Sequence, residues 1–337
     1  MENPKFEEMT VFAREVFGLQ GAIPIVISPL EGRGSDRSFY RLAWNHKDTA
    51  ILIHYNSKRI ENNYYADIAV FLWGMGVPVP KLIKHDPSNY LILMEDLGDT
   101  DLWSLRNSPW ETRSTFYQKT ITIIHKLHSF PEQDFPSDRV RLMESFGPEL
   151  YRWERNYFRD HFVKNVCGIE LESSVEQKLE TELSGLAERL LKTKQCLIHR
   201  DLQSQNVMIR DGEPFLIDFQ GMRFGNPFYD LGSLLCDPYV EFDTNQRLHL
   251  LHYYYNLSKQ DLDWDDFQKI FWEASAQRLM QALGAYGFLG LSKGLKAFLD
   301  HIPTGVRNLH LAASQTTSFP ILKELTMECQ RGIEQKR

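Results

Sequence analysis

At 337 residues, 42% hydrophobic and 25% charged, the chain carries enough apolar material for a sizeable core, and it exceeds the roughly 250–300 residues that a single core organises, so two lobes are expected. A formal net charge of −7 argues against a nucleic-acid binder or an anionic-membrane binder, since each needs a basic surface field, and favours a small molecule as partner. The cysteines, Cys167, Cys196, Cys236 and Cys329, show neither the pairing of a metal site nor the density of a disulfide scaffold, and read as reduced and buried.

The opening "MENPKFEEMTVFAREVFG" has neither the basic start nor the apolar core of a signal peptide, and no run reaches the ~18 apolar residues of a membrane span. A cytoplasmic monomer is the expectation. Pro4 opens a helix with Phe6, Met9, Ala13 and Phe17 on one face, stopped by Gly18 and Gly21. Strand texture follows in "AIPIVISPL", "EGRGSDRSFYRLAW" and "TAILIHY". "YYADIAVFLWGMG" reads as a helix ended by Gly74 and Gly76, and "VPVPKLIKHD" and "NYLILMED" read as two more strands. Up to Glu95 the pattern is a sheet with one inserted helix.

Past "DLGDTDLW" the apolar period turns helical. Phe116, Thr120, Ile123, Ile124 and Leu127 form one stripe, and Leu179, Leu183, Leu186 and Leu190 form another behind a capping box of Ser174 and Gln177. The region after Asp230 is mostly helical as well. The join at residues 96–100 is short enough to act as a hinge.

The one strand interruption in this half is "CLIHRDLQSQNVMIRDGEPFLIDFQ", residues 196–220. Its Asp211-Gly212 step between "VMI" and "FLI" signals a hairpin. Closing that hairpin returns Asp218 to the loop carrying Asp201 and Asn206, bringing two carboxylates and an amide oxygen together. Such a hard-oxygen set suits Mg2+ with phosphate: Asn206 and Asp218 are the candidate metal ligands, and Asp201 is left as a candidate base.

"HRDLQSQN" followed by "IDFQ" resembles the catalytic loop and metal-binding triplet of the protein-kinase-like superfamily, in particular its aminoglycoside and choline phosphotransferase branch. The resemblance implies an α+β, two-lobed fold. An N-lobe of residues 1–97 would carry a small antiparallel sheet and one helix, and a mainly helical C-lobe would span 98–337. It also implies transfer of the γ-phosphate of Mg-ATP to a hydroxyl of a small molecule. "LEGRGSDRSFYRL" resembles the phosphate-covering loop, with Gly32, Gly34 and Ser35 near the nucleotide, and "LILMEDLG" resembles the hinge, where backbone groups of Glu95 to Leu97 would face the adenine. In "GNPFYDLGSLLCDPYV", Asp230 takes the position of an Asp that holds the catalytic loop by its backbone. Asp230 and His199 read as structural supports rather than catalysts.

The chain departs from the kinase pattern at "AILIHY", where His54 stands in place of the phosphate-pairing lysine. Lys58, Arg59, Arg33, Arg37 and Arg41 lie nearby as other sources of charge. This gap, the Asp-Phe-Gln in place of Asp-Phe-Gly, and the late "QRLMQALGAYGFLGLSKGLKAFLDHIP" resemble the bacterial anomeric kinases of N-acetylmuramate and N-acetylglucosamine, which would place the chain in cell-wall recycling. On that reading Arg278, beside Gln277 and Gln281, is a candidate for substrate contact. Two alternatives stay open: a kinase of an aminoglycoside, choline or other amino alcohol, whose ammonium groups acids such as Asp237, Glu241 and Asp243 would hold, and a nucleotide-binding pseudokinase.

Overall fold

A computed structural model describes residues 4–19, 23–30, 36–45, 48–259 and 261–335. The first part comprises α1 (Pro4–Phe17), β1 (Val26–Leu30), β2 (Ser38–Trp44), β3 (Asp48–His54), α2 (Tyr65–Gly74), β4 (Leu82–Asp86) and β5 (Leu91–Glu95). The five strands form one antiparallel sheet in the order β1-β2-β3-β5-β4. Its central strands are apolar without alternation because both faces are covered. Ala50, Leu52, Leu91 and Leu93 pack against Met9, Phe12 and Ala13 of α1. Ile51, Ile53, Ile92 and Met94 face the opposite way, into the main core with Ile68 and Leu72 of α2. Helix α2 stops where Gly76, at φ +69, takes the left-handed position that closes a helix C-terminus.

The remainder is mainly helical: α3 (Trp110–His128), α4 (Pro148–Tyr157), α5 (Ser173–Lys192), α6 (Pro227–Leu235), α7 (Thr244–Ser258), α8 (Trp264–Gly287), α9 (Ile302–Ser314) and α10 (Pro320–Gln335). Between α5 and α6 lie four short strands: β6 (Cys196–Ile198), β7 (Val207–Arg210), β8 (Glu213–Leu216) and β9 (Arg223–Gly225). β7 pairs with β8, and β6 pairs with β9, both antiparallel. This is the small sheet and larger helical lobe of a protein-kinase-like fold. Among the described residues no helix is long and apolar enough to cross a membrane. The four cysteines are buried, with no disulfide among them.

Several local expectations need correction. Helix α5 begins at Ser173 with Glu172 as its N-cap and no side-chain cap. Ser174 therefore sits inside the first turn, where it cannot cap, and the expected capping box does not form. The buried stripe of α3 is Tyr117, Thr120, Ile121, Ile124 and Leu127, with Phe116 and Ile123 at its margin. Two π-helical turns, Phe158–Cys167 and Phe288–Ser292, extend α4 and α8, and β9 lies just past the expected strand region. Gly21 falls outside the described residues.

The close approach of α8 to the first π-helical segment rests on glycine. A Cβ on Gly287 would lie 2.3 Å from the His161 carbonyl oxygen, whereas one on Gly332 of α10 would meet nothing within 4 Å. Gly287→Ala should cost about 1–3 kcal/mol or more by overpacking. Gly332→Ala should be neutral or stabilising by up to ~1 kcal/mol, through helix propensity alone. Urea unfolding midpoints of the two variants should move in opposite directions or leave the second unmoved.

Candidate active site

The hairpin of β7 and β8 turns at Asp211 (φ 54) and Gly212 (φ 78), the left-handed pair that a two-residue turn between right-twisted strands requires. Closing it sets Ile217 N–H on the Asn206 carbonyl at 3.0 Å and so brings Asp218 beside the loop of residues 199–206. Asp201, Asn206, Asp218 and Arg278 all line one cavity of about 210 Å³.

The loop is held from beneath by α6. Both oxygens of the buried Asp230 are used: Oδ2 accepts the His199 backbone N–H and Oδ1 accepts the Arg200 backbone N–H, each at 2.7 Å. Oδ2 also lies 3.2 Å from His128 Nε2. The buried His199 ring places Nε2 3.0 Å from the Ile217 carbonyl, tying the loop to β8. A second buried carboxylate, Asp237, accepts the Ser204 N–H at 2.8 Å, the Ser204 hydroxyl at 2.6 Å and the Tyr239 N–H at 3.0 Å. Arg200 (φ 75) and Asp218 (φ 63) occupy the left-handed region, and such strain persists only where surrounding bonds over-determine it.

Burial pushes Asp237 up to about 6, against the opposing hydrogen bonds from Ser204. Because its folded value lies above the unfolded one, the stability it contributes is complete below about pH 4 and is lost as pH rises through 6. Asp237→Asn cannot titrate. Its melting temperature relative to the unmodified protein should therefore rise between about pH 4 and 6, by up to ~1.4 kcal/mol of stability per pH unit, and a difference constant across that range would contradict the assignment.

Asn206 is oriented by its nitrogen. Nδ2 donates to the Asp201 carbonyl at 2.8 Å, which leaves the amide oxygen as the atom offered to the cavity. Asp201 is paired with Arg278 of α8, whose Nη2 donates to Oδ1 at 2.6 Å. The other Arg278 nitrogens are also engaged: Nε donates to Ser233 Oγ at 3.1 Å and Nη1 to Gln281 Oε1 at 2.5 Å. Burial works against the Arg278 charge, but the Asp201 carboxylate more than restores it and leaves the guanidinium above its ordinary range. Gln277 turns elsewhere, donating to the buried Glu154 at 2.8 Å, and Tyr229 donates its hydroxyl to the same residue. Burial raises Glu154 above the usual carboxylate range, opposed by the charge of Arg200.

Glu95 and Leu97 are not in this cavity wall. Glu95 pairs with Ala50 across the sheet, and its side chain accepts from Arg210 Nη1 at 2.6 Å; Leu97 is buried. Arg41 clamps the adjoining segment through Asp96 and Asp99, each at 2.7 Å. Gly32, Gly34, Ser35 and Arg33 lie outside the described residues. His54 ends β3, half-buried, and does not line the cavity. The acids invoked for ammonium groups do not converge: Asp237 holds Ser204, Glu241 accepts from Arg307 at 2.7 Å, and Asp243 caps α7. Of the charges expected nearby, Arg37 and Arg59 line the cavity, and among the residues it adds are Tyr239, Tyr286 and Gln203. Gln203 Nε2 donates to the Tyr286 hydroxyl at 3.0 Å. Gln203 lies within the loop itself, whereas no sequence spacing marks the two tyrosines, which arrive from later segments.

A two-lobed fold with a backbone-clamped loop, and with two carboxylates and an amide lining one cavity, has the parts a small-molecule kinase needs. Residues 26–267 match the phosphotransferase enzyme family known as APH. The chain belongs to that family, whose members transfer phosphate to a hydroxyl acceptor. It is 23% identical over 328 residues to an N-acetylmuramate/N-acetylglucosamine kinase of Pseudomonas aeruginosa, covering 95% of this chain and 94% of that one. Among solved structures it resembles a choline/ethanolamine kinase family protein of Mesorhizobium loti, with a TM-score of 0.63, 15% identity and coverage of 96% and 99%. It also resembles the ternary complex of APH(2")-IIa with streptomycin and ATP, with a TM-score of 0.56, 16% identity and coverage of 87% and 95%.

Proposed function

We propose that this kinase phosphorylates the anomeric hydroxyl of an amino sugar of the N-acetylmuramate or N-acetylglucosamine type. The observation that carries this reading is the charge of the cavity wall. Four arginines, Arg37, Arg59, Arg200 and Arg278, face three acids, Glu61, Asp201 and Asp218, and each of the three already has an arginine partner. A polycationic aminoglycoside would need several unpaired carboxylates, which this wall does not offer. The aromatic wall of Tyr239, Tyr286 and Phe298 and the amides of Gln203 and Gln281 instead suit a sugar ring, its hydroxyls and an acetamido group. The name of the Pseudomonas relative agrees.

In this account Asp201 accepts the proton of the attacking hydroxyl, and Arg278 orients it. The residues fit a divalent cation. Among the described residues no cluster of three or more His, Cys, Asp or Glu side chains is spaced to hold a metal, whereas Mg2+ typically takes one or two protein oxygens and completes its shell with phosphate and water. The Asn206 oxygen and the Asp218 carboxylate would supply those two, and the bound ion would neutralise charge on the transferred phosphate. Asp230, Asp237 and His199 hold the loop so that Asp201 need not reorganise. The lobes would meet at residues 97 and 98, where the Arg41 clamp holds the linker, and the enzyme would work in the cytoplasm as a monomer.

The test is a phosphate-transfer screen with Mg-ATP over N-acetylmuramate, N-acetylglucosamine, choline, ethanolamine and aminoglycosides. The amino sugars should be consumed, giving products stable to alkali and labile to acid, as an anomeric phosphate is. Turnover of the amino alcohols with neither sugar accepted would replace this reading with the amino-alcohol one.

A further inference from the structure

Strand β3 ends at His54 where a kinase places the lysine that pairs with the nucleotide's phosphates, and His54 does not line the cavity. Arg37 does. It stands immediately before β2, is only 8% exposed, and crosses from the sheet to the helical side. Nη1 donates to Gln220 Oε1 at 2.9 Å and Nη2 donates to Asp218 Oδ1. Its guanidinium also lies 5.3 Å from the Phe39 ring.

Asp218 is the carboxylate assigned above to the cation. A divalent ion that takes Asp218 Oδ1, alone or together with Oδ2, displaces the guanidinium from that oxygen. The Arg37 guanidinium is permanently charged, and its fork is turned to Asp218 and Gln220 before any ligand arrives. A cation that takes Asp218 releases a permanent positive charge beside the phosphates, on a planar fork suited to two phosphate oxygens.

We propose that Arg37 is the phosphate-binding cation of the sheet side, holding Asp218 in the free protein and passing to the nucleotide's phosphate oxygens when a divalent ion displaces it. This supplies from β2 what β3 lacks. It rests on the reading of Asp218 as the cation's carboxylate, and it is independent of the acceptor.

The experiment is a calorimetric titration of ADP in EDTA against the unmodified protein, Arg37→Met, His54→Ala and Asp218→Asn, with melting curves in Mg2+ alone. Arg37→Met should weaken metal-free ADP binding about tenfold or more, while His54→Ala should change it less than about threefold. Asp218→Asn, which removes the competing charge, should tighten metal-free ADP binding several-fold. Mg2+ alone should raise the melting temperature of Arg37→Met more than that of the unmodified protein, since the carboxylate is then open to it. Unchanged ADP affinity in Arg37→Met, or unchanged or weaker affinity in Asp218→Asn, would overturn the proposal and leave Arg37 as a strut. Should Arg37→Met fail to fold, Asp218→Asn decides the matter. Failure of the unmodified protein to bind ADP at all would count against the nucleotide site itself, whereas a different acceptor leaves these titrations untouched.

Discussion

Asp201→Asn should reduce kcat by about a hundredfold or more while leaving the affinity for ATP within about threefold, because a positioned base is lost and the nucleotide's contacts are not. The amide cannot take a proton from the acceptor hydroxyl, yet it retains an oxygen for Arg278 Nη2, 2.6 Å away in the unmodified protein. Arg278 also keeps Ser233 and Gln281, so the melting temperature should fall only modestly. Asp201→Ala differs in this respect. It leaves a buried guanidinium without its carboxylate, and removing one partner of a buried pair costs about 3–5 kcal/mol when the site is fully enclosed. Asp201 is 34% exposed at its side chain, which places its own loss below that range. Steady-state kinetics beside thermal melting separates the two effects, and near-normal kcat in folded Asp201→Asn removes this residue from the mechanism.

Asp218→Ala should abolish the tightening of nucleotide binding by Mg2+, a loss of about a hundredfold or more in Mg-ATP affinity. Asn206 alone offers one neutral oxygen, a poor site for a hard dication. The substitution also removes the carboxylate that Arg37 holds, leaving it the hydrogen bond to Gln220 and the contact with the Phe39 ring among those described above. Calorimetry in Mg2+ and in EDTA distinguishes the consequences: the two affinities should become nearly equal in the variant. Retention of a large Mg2+ dependence would show that Asp218 only shapes the turn before Phe219.

The juxtaposition of the loop of residues 199–206 with Asp218 was legible because its information is local. Asp201, Asn206 and Asp218 sit within eighteen residues, and the Asp211-Gly212 turn that brings them together is a backbone requirement written in two residues. The sheet was legible for the same reason, since neighbouring strands pair through short turns, apart from the strand order that sets β3 beside β5. The helix α1 could be read as amphipathic, but not what it covers: "AILI" and "LILM" are uniformly apolar because α1 closes the second face of the sheet. The pairings that place Arg37 and Glu154 were illegible. Their partners, Asp218 for the first, Tyr229 and Gln277 for the second, lie about 75 to 180 residues away, and no period or motif encodes such a pairing. The π-helical turns escaped for a subtler reason. An extra residue per turn leaves the apolar pattern nearly intact while shifting the backbone, and only the contact of Gly287 with His161 reveals the fit.

The most direct test of the account is phosphorus NMR of N-acetylmuramate incubated with the protein, Mg2+ and ATP. The expected result is a new phosphate signal coupled to the anomeric proton, growing in step with ADP and nearly absent with Asp201→Asn. ADP formed without phosphorylated sugar, or phosphate found on a hydroxyl other than the anomeric one, would contradict it.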